Sequence, residues 1–477
     1  MLKQFNQVKL SSTGSNEIFR LFDKFHLRKT LTKCKIVKEK GHEVTEMLFV
    51  MLLIILENCN SVFSGIVKNN AKNLKTPIND MLNNTEYNWR NYLYKIAKCF
   101  SQLCPNSNIN DWSLSIDDTS KVKTGHKTQN SSWFHDHCNN THFKGFQNIT
   151  AALSNGRTAI PIDFELKIGK KRTKHSRTEK YLKGTHAHQR VCFAKKKKTS
   201  IVMQMIKRAL QRKFKFKYIL WDSWFNNSEV YSFLYSVIIP KGIVLISMLK
   251  RGNSKYKYGQ KYLTVNELYD FAGKWNKDNR SGIKFKNIEV ELLDASSHRF
   301  IKNRSTIGKI KICFFKYPKV RNWKCILSTD LDLEEMDVLK VYLRRWSIEC
   351  IFKEIKQYFG YSQSKSSNYI AMISDLTIRY SFYIMFCYLK EVQNNKPLGQ
   401  LLTEFYQELF ELWLFEFIEL MCMRYVHEFI DYALKSGYSK LEDLKKNLEK
   451  TLHDFFEQKY IPDKITDSDK HEFRKTA

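Results

Sequence analysis

A chain of 477 residues with 43% hydrophobic side chains exceeds the size at which one core keeps growing, so two or three packed domains are expected. Its 80 basic against 48 acidic side chains leave a net charge of +32, and the pI of about 9.6 points to a polyanionic partner, nucleic acid first. Eleven scattered cysteines without a C-x-x-C pair argue against a disulfide framework and for reduced thiols in a cytoplasmic protein.

Along the chain, residues 1–105 read as helical, with apolar residues at helical spacing in LFDKFHLRKTL, TEMLFVMLLIILENC and WRNYLYKIAKCFSQL. This region is a candidate DNA-binding domain or a structural cap, since no helix-turn-helix pattern is clear enough to number recognition residues. The longest unbroken apolar run, Met47 to Leu56, suits a buried helix better than a membrane span, and the opening MLKQFNQVKLSSTGSNE lacks the apolar core of a signal peptide.

From Trp112 the period changes to two. DWSLSIDD is expected as a short strand ending at Asp117 and Asp118, and FKGFQNITAAL and TAIPIDFELKI as two more strands joined at the Asn155-Gly156 turn. A basic, flexible stretch from Gly169 to Lys198 is expected next, then an amphipathic helix, TSIVMQMIKRALQRKF, and a buried strand, YILW, that surfaces at Asp222. From residue 242 to about 330, strands in GIVLISML, IEVELL and KIKICFF with a helix in LTVNELYDFAG read as a β-rich insertion, at about 250–330, or a continuation of the sheet. One helix is expected from Asp332 to Tyr358, and apolar helices at 376–389, 409–430 and 441–458 complete the chain. The order strand, hairpin strands, helix, strand is α/β. It divides the chain into a helical region at 1–105, a catalytic domain at 106–375 and a C-terminal helical region at 376–477 that is a candidate for dimerisation.

The segment YLRRWSIECIFKEIK carries the most chemistry. At about 100° per residue, Tyr342, Arg345, Glu349 and Lys356 share one narrow helix face, with Leu343, Trp346, Ile348, Ile351, Phe352 and Ile355 left to pack behind it. A phenol, a guanidinium, a carboxylate and an amine on one face suit a phosphodiester, although an i, i+4 ion pair of Arg345 with Glu349 on a solvated face has the same pattern. Three carboxylate positions stand out by placement: Asp117 or Asp118, Asp222 and Glu349. If they converge, their repulsion calls for cations, and hard oxygen donors select Mg²⁺ or Mn²⁺. Two such ions support in-line phosphoryl transfer. Trp346 and Trp224 are candidates to stack on an unstacked base, although tryptophans are more often buried. His135, His137, Cys138 and His142 invite a zinc reading, but H-x-H-C-x3-H lacks the paired spacing of structural zinc sites. The basic runs Lys170-Lys171-Arg172-x-Lys174 and Lys195 to Lys198 are solvated loops or phosphate contacts.

Together these motifs resemble the bacterial insertion-sequence transposases of the DDE type, in the insertion-sequence-four-type group with a Tyr-x2-Arg-x3-Glu-x6-Lys (YREK) signature. Tyr342, Arg345, Glu349 and Lys356 match its spacing at every step, IDDTS at 116–120 resembles the first-aspartate motif and WDSWF at 221–225 the second. The resemblance covers roughly residues 110–365. It implies a ribonuclease-H-like mixed sheet with a β-rich insertion and a triad of Asp117 or Asp118 with Asp222 and Glu349 holding two Mg²⁺ or Mn²⁺ ions. Tyr342, Arg345 and Lys356 would hold the DNA end. Both aspartates fit a register before Thr119, so the first ligand stays open. The implied activity is cut-and-paste transposition: nicking, hairpin formation, hairpin opening and joining to target DNA. The implied partners are double-stranded DNA, as terminal inverted repeats and target, and a second copy of the chain. The implied setting is the bacterial cytoplasm at the nucleoid, away from membranes. A structure-specific nuclease of the same fold and a non-catalytic DNA-binding relative are the competing readings.

Overall fold

The computed structural model describes residues 17–407 and Val426, apart from residues 60, 69–71, 105–111, 126, 137–138, 172, 174–180, 296, 298 and 394–395. Among the described residues six α-helices come first: α1 (Glu17–Lys24), α2 (Leu27–Lys33), α3 (Val44–Leu56), α4 (Val62–Lys68), α5 (Lys75–Asn83) and α6 (Trp89–Leu103). The helix expected over LFDKFHLRKTL is broken at His26, which takes a left-handed conformation (φ 46°). Helix α3 is apolar on every side and correspondingly buried nearly throughout. Asn88 caps α6 by accepting a hydrogen bond from the Asn91 N–H.

The next strands are β1 (Ser113–Val122), β2 (Ser132–Asp136), β3 (Thr141–Ser154) and β4 (Ala159–Lys167). Asn155 and Gly156 make the β3–β4 turn, Gly156 at φ 90°, where a Cβ-bearing residue is strained. Strand β1 does not stop at the aspartates: it pairs with β3 as far as Val122 opposite Gly145, so Asp117 and Asp118 lie mid-strand. The extension is possible because Lys121 and Lys123 aim their amines at the backbone carbonyls of Tyr361, Ser364 and Ser366, which lets two lysines be buried. The stretch from Gly169 to Lys198 contains a helix that its charge concealed, α7 (His186–Ala194), capped by the Thr185 hydroxyl. Then come α8 (Lys198–Gln211), β5 (Tyr218–Trp221), α9 (Ser228–Phe233) and β6 (Val244–Met248).

The core strands run β4-β3-β1-β5-β6, β3 antiparallel to β1 and β4, with β5 parallel to β1 and β6 parallel to β5. This is the mixed α/β sheet expected. The insertion continues the same sheet: β7 (Lys255–Tyr258), β8 (Lys261–Thr264), α10 (Val265–Phe271), β9 (Asn276–Lys277), β10 (Lys284–Leu293), β11 (Thr306–Lys316) and β12 (Lys324–Ser328) extend it from β6 in the order β12-β11-β10-β7-β8.

The single helix expected over 332–358 is two, α11 (Glu335–Leu343) and α12 (Trp346–Tyr358). Across the joint, the N–H groups of Arg344, Arg345, Ser347 and Ile348 donate three residues back, to Val341, Tyr342, Arg344 and Arg345, so the helix tightens there. The chain then forms α13 (Tyr369–Val392), which is buried from Tyr369 to Leu389 and packs on α5, α6 and β4. By length and composition α13 could cross a membrane, but its whole apolar window is inside the protein. It spans the boundary expected between residues 375 and 376, and a helical segment follows at 398–407. The helices expected at 409–430 and 441–458 lie outside the described residues, Val426 excepted.

Candidate catalytic site

Strand parity decides which aspartate meets which partner. On one face of the core sheet Ser115 stands beside Leu220, and one step on, Ile116 beside Trp221 shows the opposite face. Continuing the register by one residue sets Asp117 beside Asp222, whose backbone is still extended (φ −82°, ψ 165°). That face is covered by α11 through Val338, Leu339, Val341 and Tyr342 packed with Leu220. Asp118 belongs to the other face with Ile116, and its carboxylate pairs with the amine of Lys198, the first residue of α8.

Arg345, at the joint between α11 and α12, donates to Asp117 Oδ2 at 3.0 Å and to Glu349 Oε1 at 2.7 Å. One guanidinium therefore ties the first strand to the helix carboxylate. Burial, together with repulsion from Asp118, raises the Asp117 carboxyl to about 6, against the stabilising Asp118 N–H and Arg345, while Glu349 adds a smaller push upward. Burial disfavours the charge on Arg345, yet Tyr342, Asp117 and Glu349 together hold its pKa above the ordinary value. The Asp222 carboxylate accepts from the N–H of Ser223 and so caps the turn Ser223–Phe225. Tyr342 lies between: burial raises its phenol, and both Asp222 and Asp117 act on it electrostatically in the same direction. The Arg345 guanidinium sits 5.6 Å from the Tyr342 ring centre. The Tyr342 hydroxyl and the Arg345 Nε are buried without a well-aligned hydrogen-bond partner. Lys356, two turns along α12, donates to the Thr119 hydroxyl at 2.7 Å, and burial lowers its pKa.

Asp117, Asp222, Tyr342, Arg345, Glu349 and Lys356 thus share one face, although a break now separates Tyr342 from the helix that carries Glu349. The carboxylate oxygens are the donor type for a hard divalent cation, and burial with repulsion from Asp118 raises the Asp117 carboxyl, a penalty on its charged form that a bound cation would relieve. Among the described residues no group of three or more His, Cys, Asp or Glu side chains is spaced to hold a metal ion, and Arg345 stands between Asp117 and Glu349. Donor chemistry fits such a cation; admitting it requires the guanidinium to turn away.

The remaining candidates lie elsewhere. Trp346 and Trp224 are 62% and 56% exposed, contrary to the usual burial of tryptophan. Lys170 and Lys171 are exposed beside β2, the Lys171 carbonyl accepting the Trp133 N–H, and Arg172 lies outside the described residues. His135 and His142 are a cross-strand pair with rings 4.9 Å apart, and His137 and Cys138 lie outside the described residues. Sequence reading missed the Lys198–Asp118 and Lys356–Thr119 contacts, which join residues 80 and 237 apart and leave no local pattern.

Residues 70–251 match the family model described as DDE superfamily endonuclease, a span of less than half the chain that contains Asp117, Asp118 and Asp222 and ends before Glu349. No curated protein matches. Among solved structures, the chain is similar to the NurA nuclease from Sulfolobus solfataricus at 13% identity and a TM-score of 0.23, over 59% of this chain and 85% of that one, a likeness too low to bear on function. The family match supports a DDE-type nuclease or transposase over the matched residues.

Proposed function

We propose that this protein is a DNA transposase that moves an insertion sequence by metal-dependent cut and paste. What supports the reading is the strand register, which carried on by one residue brings Asp117 beside Asp222, together with the Arg345 bridge from Asp117 to Glu349. Asp117 is the first ligand in this reading, since Asp118 faces away and is neutralised by Lys198. A pair of Mg²⁺ or Mn²⁺ ions, when bound by the three carboxylates, supplies the charge that activates the attacking oxygen and stabilises the leaving one.

Arg345 offers a planar fork that can grip a phosphate bidentately once it leaves the two carboxylates. Lys356 adds a point charge whose position the Thr119 hydroxyl fixes. The unpartnered Tyr342 hydroxyl donates a hydrogen bond to the same strand. Each step exchanges one phosphodiester oxygen for another: water frees a 3′ hydroxyl at the element end, that hydroxyl attacks the opposite strand to close a hairpin, water reopens it, and the 3′ ends join target DNA. In every exchange the attacking oxygen gives its proton to solvent and the displaced oxygen leaves as a hydroxyl. The reading takes terminal inverted repeats and target DNA as substrates and a homodimer at the bacterial nucleoid as the working form. The helices of 1–105 and the region 376–477 are its candidate DNA-binding and dimerisation elements, and Lys170, Lys171 and Arg172 candidate phosphate contacts.

The test incubates purified protein with Mg²⁺ and DNA bearing the ends that flank its gene. Hairpins and joined products are expected. Asp222→Ala and Glu349→Ala should each abolish cleavage while end binding stays within a few-fold, and Mg²⁺-dependent cutting by either variant would defeat the assignment. Cleavage without joined products favours a structure-specific nuclease, which the endonuclease description of the matched family model also fits.

A further inference from the structure

The opposite face of the same strand ends carries a second cluster that the proposed chemistry does not use. Trp224 stands two residues beyond Asp222 in the turn Ser223–Phe225, with its indole 56% exposed. The turn itself is locked. Phe225 is buried beneath it, and the Asn226 side chain accepts from the Trp221 indole N–H at 2.9 Å and from the Ser247 hydroxyl at 3.1 Å while donating to the Met248 carbonyl at 2.9 Å. The flat apolar surface is therefore held out by a rigid support fixed to both β5 and β6.

Two cations flank it. The Lys198 amine lies 5.7 Å and the Lys250 amine 5.9 Å from the Trp224 ring centre. Asp118 holds Lys198 in place, whereas Lys250 has no carboxylate partner among the described residues. Lys195, Lys196 and Lys197 precede Lys198 in the chain and are exposed. Gathering like charges around an exposed ring costs free energy unless an anion lies there for part of the working cycle. An exposed indole with two lysine amines within about 6 Å of its ring centre matches a nucleotide whose base stacks while the neighbouring phosphates meet the amines. In an intact duplex every base face is already covered by its neighbours, so the matching ligand is unpaired.

We propose that Trp224, Lys198 and Lys250 form a subsite for a single-stranded DNA segment flanking the phosphodiester engaged by Asp117, Asp222 and Glu349. Its position relative to the reacting bond rests on the proposed transposase reading; the subsite itself rests on the cluster. Asp118 is then a positioning residue that aims Lys198.

The experiment uses the full chain in EDTA, so that nothing is cut, with a DNA duplex ending in a three-nucleotide single-stranded flank that carries 2-aminopurine, and the same duplex with a blunt end. Wild type is expected to prefer the flanked DNA and to change the 2-aminopurine fluorescence. Trp224→Ala should lose about five- to 150-fold of that preference together with the signal, while Trp224→Phe keeps most of both. Lys198→Ala and Lys250→Ala should each lower the salt dependence of binding by about one ion. Unchanged preference and signal in Trp224→Ala would overturn the subsite. With Mg²⁺ added, a wild type that never cuts but keeps the flank preference defeats the catalytic reading alone, and a cutting Trp224→Ala with wild-type flank preference defeats the subsite alone.

Discussion

Asp117 and Asp118 are chemically identical neighbours with opposite surroundings. Both fit the spacing before Thr119, so their order in the chain does not separate them; the two-residue period of the strand does, once Asp222 is placed on the adjacent parallel strand. Asp117→Asn is therefore expected to abolish strand cleavage. Asp118→Asn should lower it by about five-fold at most, the worth of one partly exposed ion pair. Parallel cleavage assays of the two variants on one DNA end check this, and the reverse ranking would move the first ligand to Asp118. Arg345 could be read from its spacing as a partner of Glu349, and that pair is present. Its second bond, to Asp117, joins residues 228 apart and is settled only by how α12 crosses the sheet.

At the level of elements, hydrophobic period was a sound guide where a face is half buried and a poor one where charge is buried. The hairpin at Asn155-Gly156 and the strand before Asp222 followed from alternation and turn chemistry. The end of β1 was hidden because TSKV ends in lysine-rich sequence that reads as a surface loop, yet Lys121 and Lys123 are almost fully buried. Helix α7 was hidden for a related reason, a run of basic residues on both sides. The buried lysines support a pH prediction. Burial, aided by Lys123, lowers Lys121 to about 7, and burial lowers Lys123 to about 8, against an ordinary value of 10.5. Below about 7 both folded and unfolded chains carry these protons and the cost of burying charge is fully present. Between about 7 and 10.5 the unfolded chain holds protons that the folded chain has released, so stability rises with pH. Urea unfolding midpoints should climb from pH 7 to 9 in wild type and climb less in Lys121→Met; equal slopes would show that the amine stays charged where it lies.

Across the whole molecule, the N-terminal helices are tied to the sheet by buried charge. Asp163 and Glu165 on β4 meet Arg90 from α6, Arg190 from α7 and Arg208 from α8, with the Tyr94 hydroxyl donating to Asp163. Burial opposes ionisation of Asp163, but the three guanidiniums, Arg208 first, hold its pKa below the ordinary range. Asp163→Ala leaves those cations without their partner and should destabilise the protein by about 3–5 kcal/mol, read as a lower urea midpoint, whereas a change under about 1 kcal/mol would mean the arginines find other acceptors. None of this network was visible in sequence, where each residue looked like one more surface charge.

Helix α13 makes the architecture hard to dismantle. Its length lies against α5 and α6 and against β4 of the core sheet, so it is a spine shared by parts of the chain that sequence order keeps far apart. Deleting residues 17–103 is expected to uncover the apolar surface that α13 buries against α5 and α6 and to make the remaining chain prone to aggregate. A leading helical region grafted from another protein is therefore expected to need the matching surface of that spine as well.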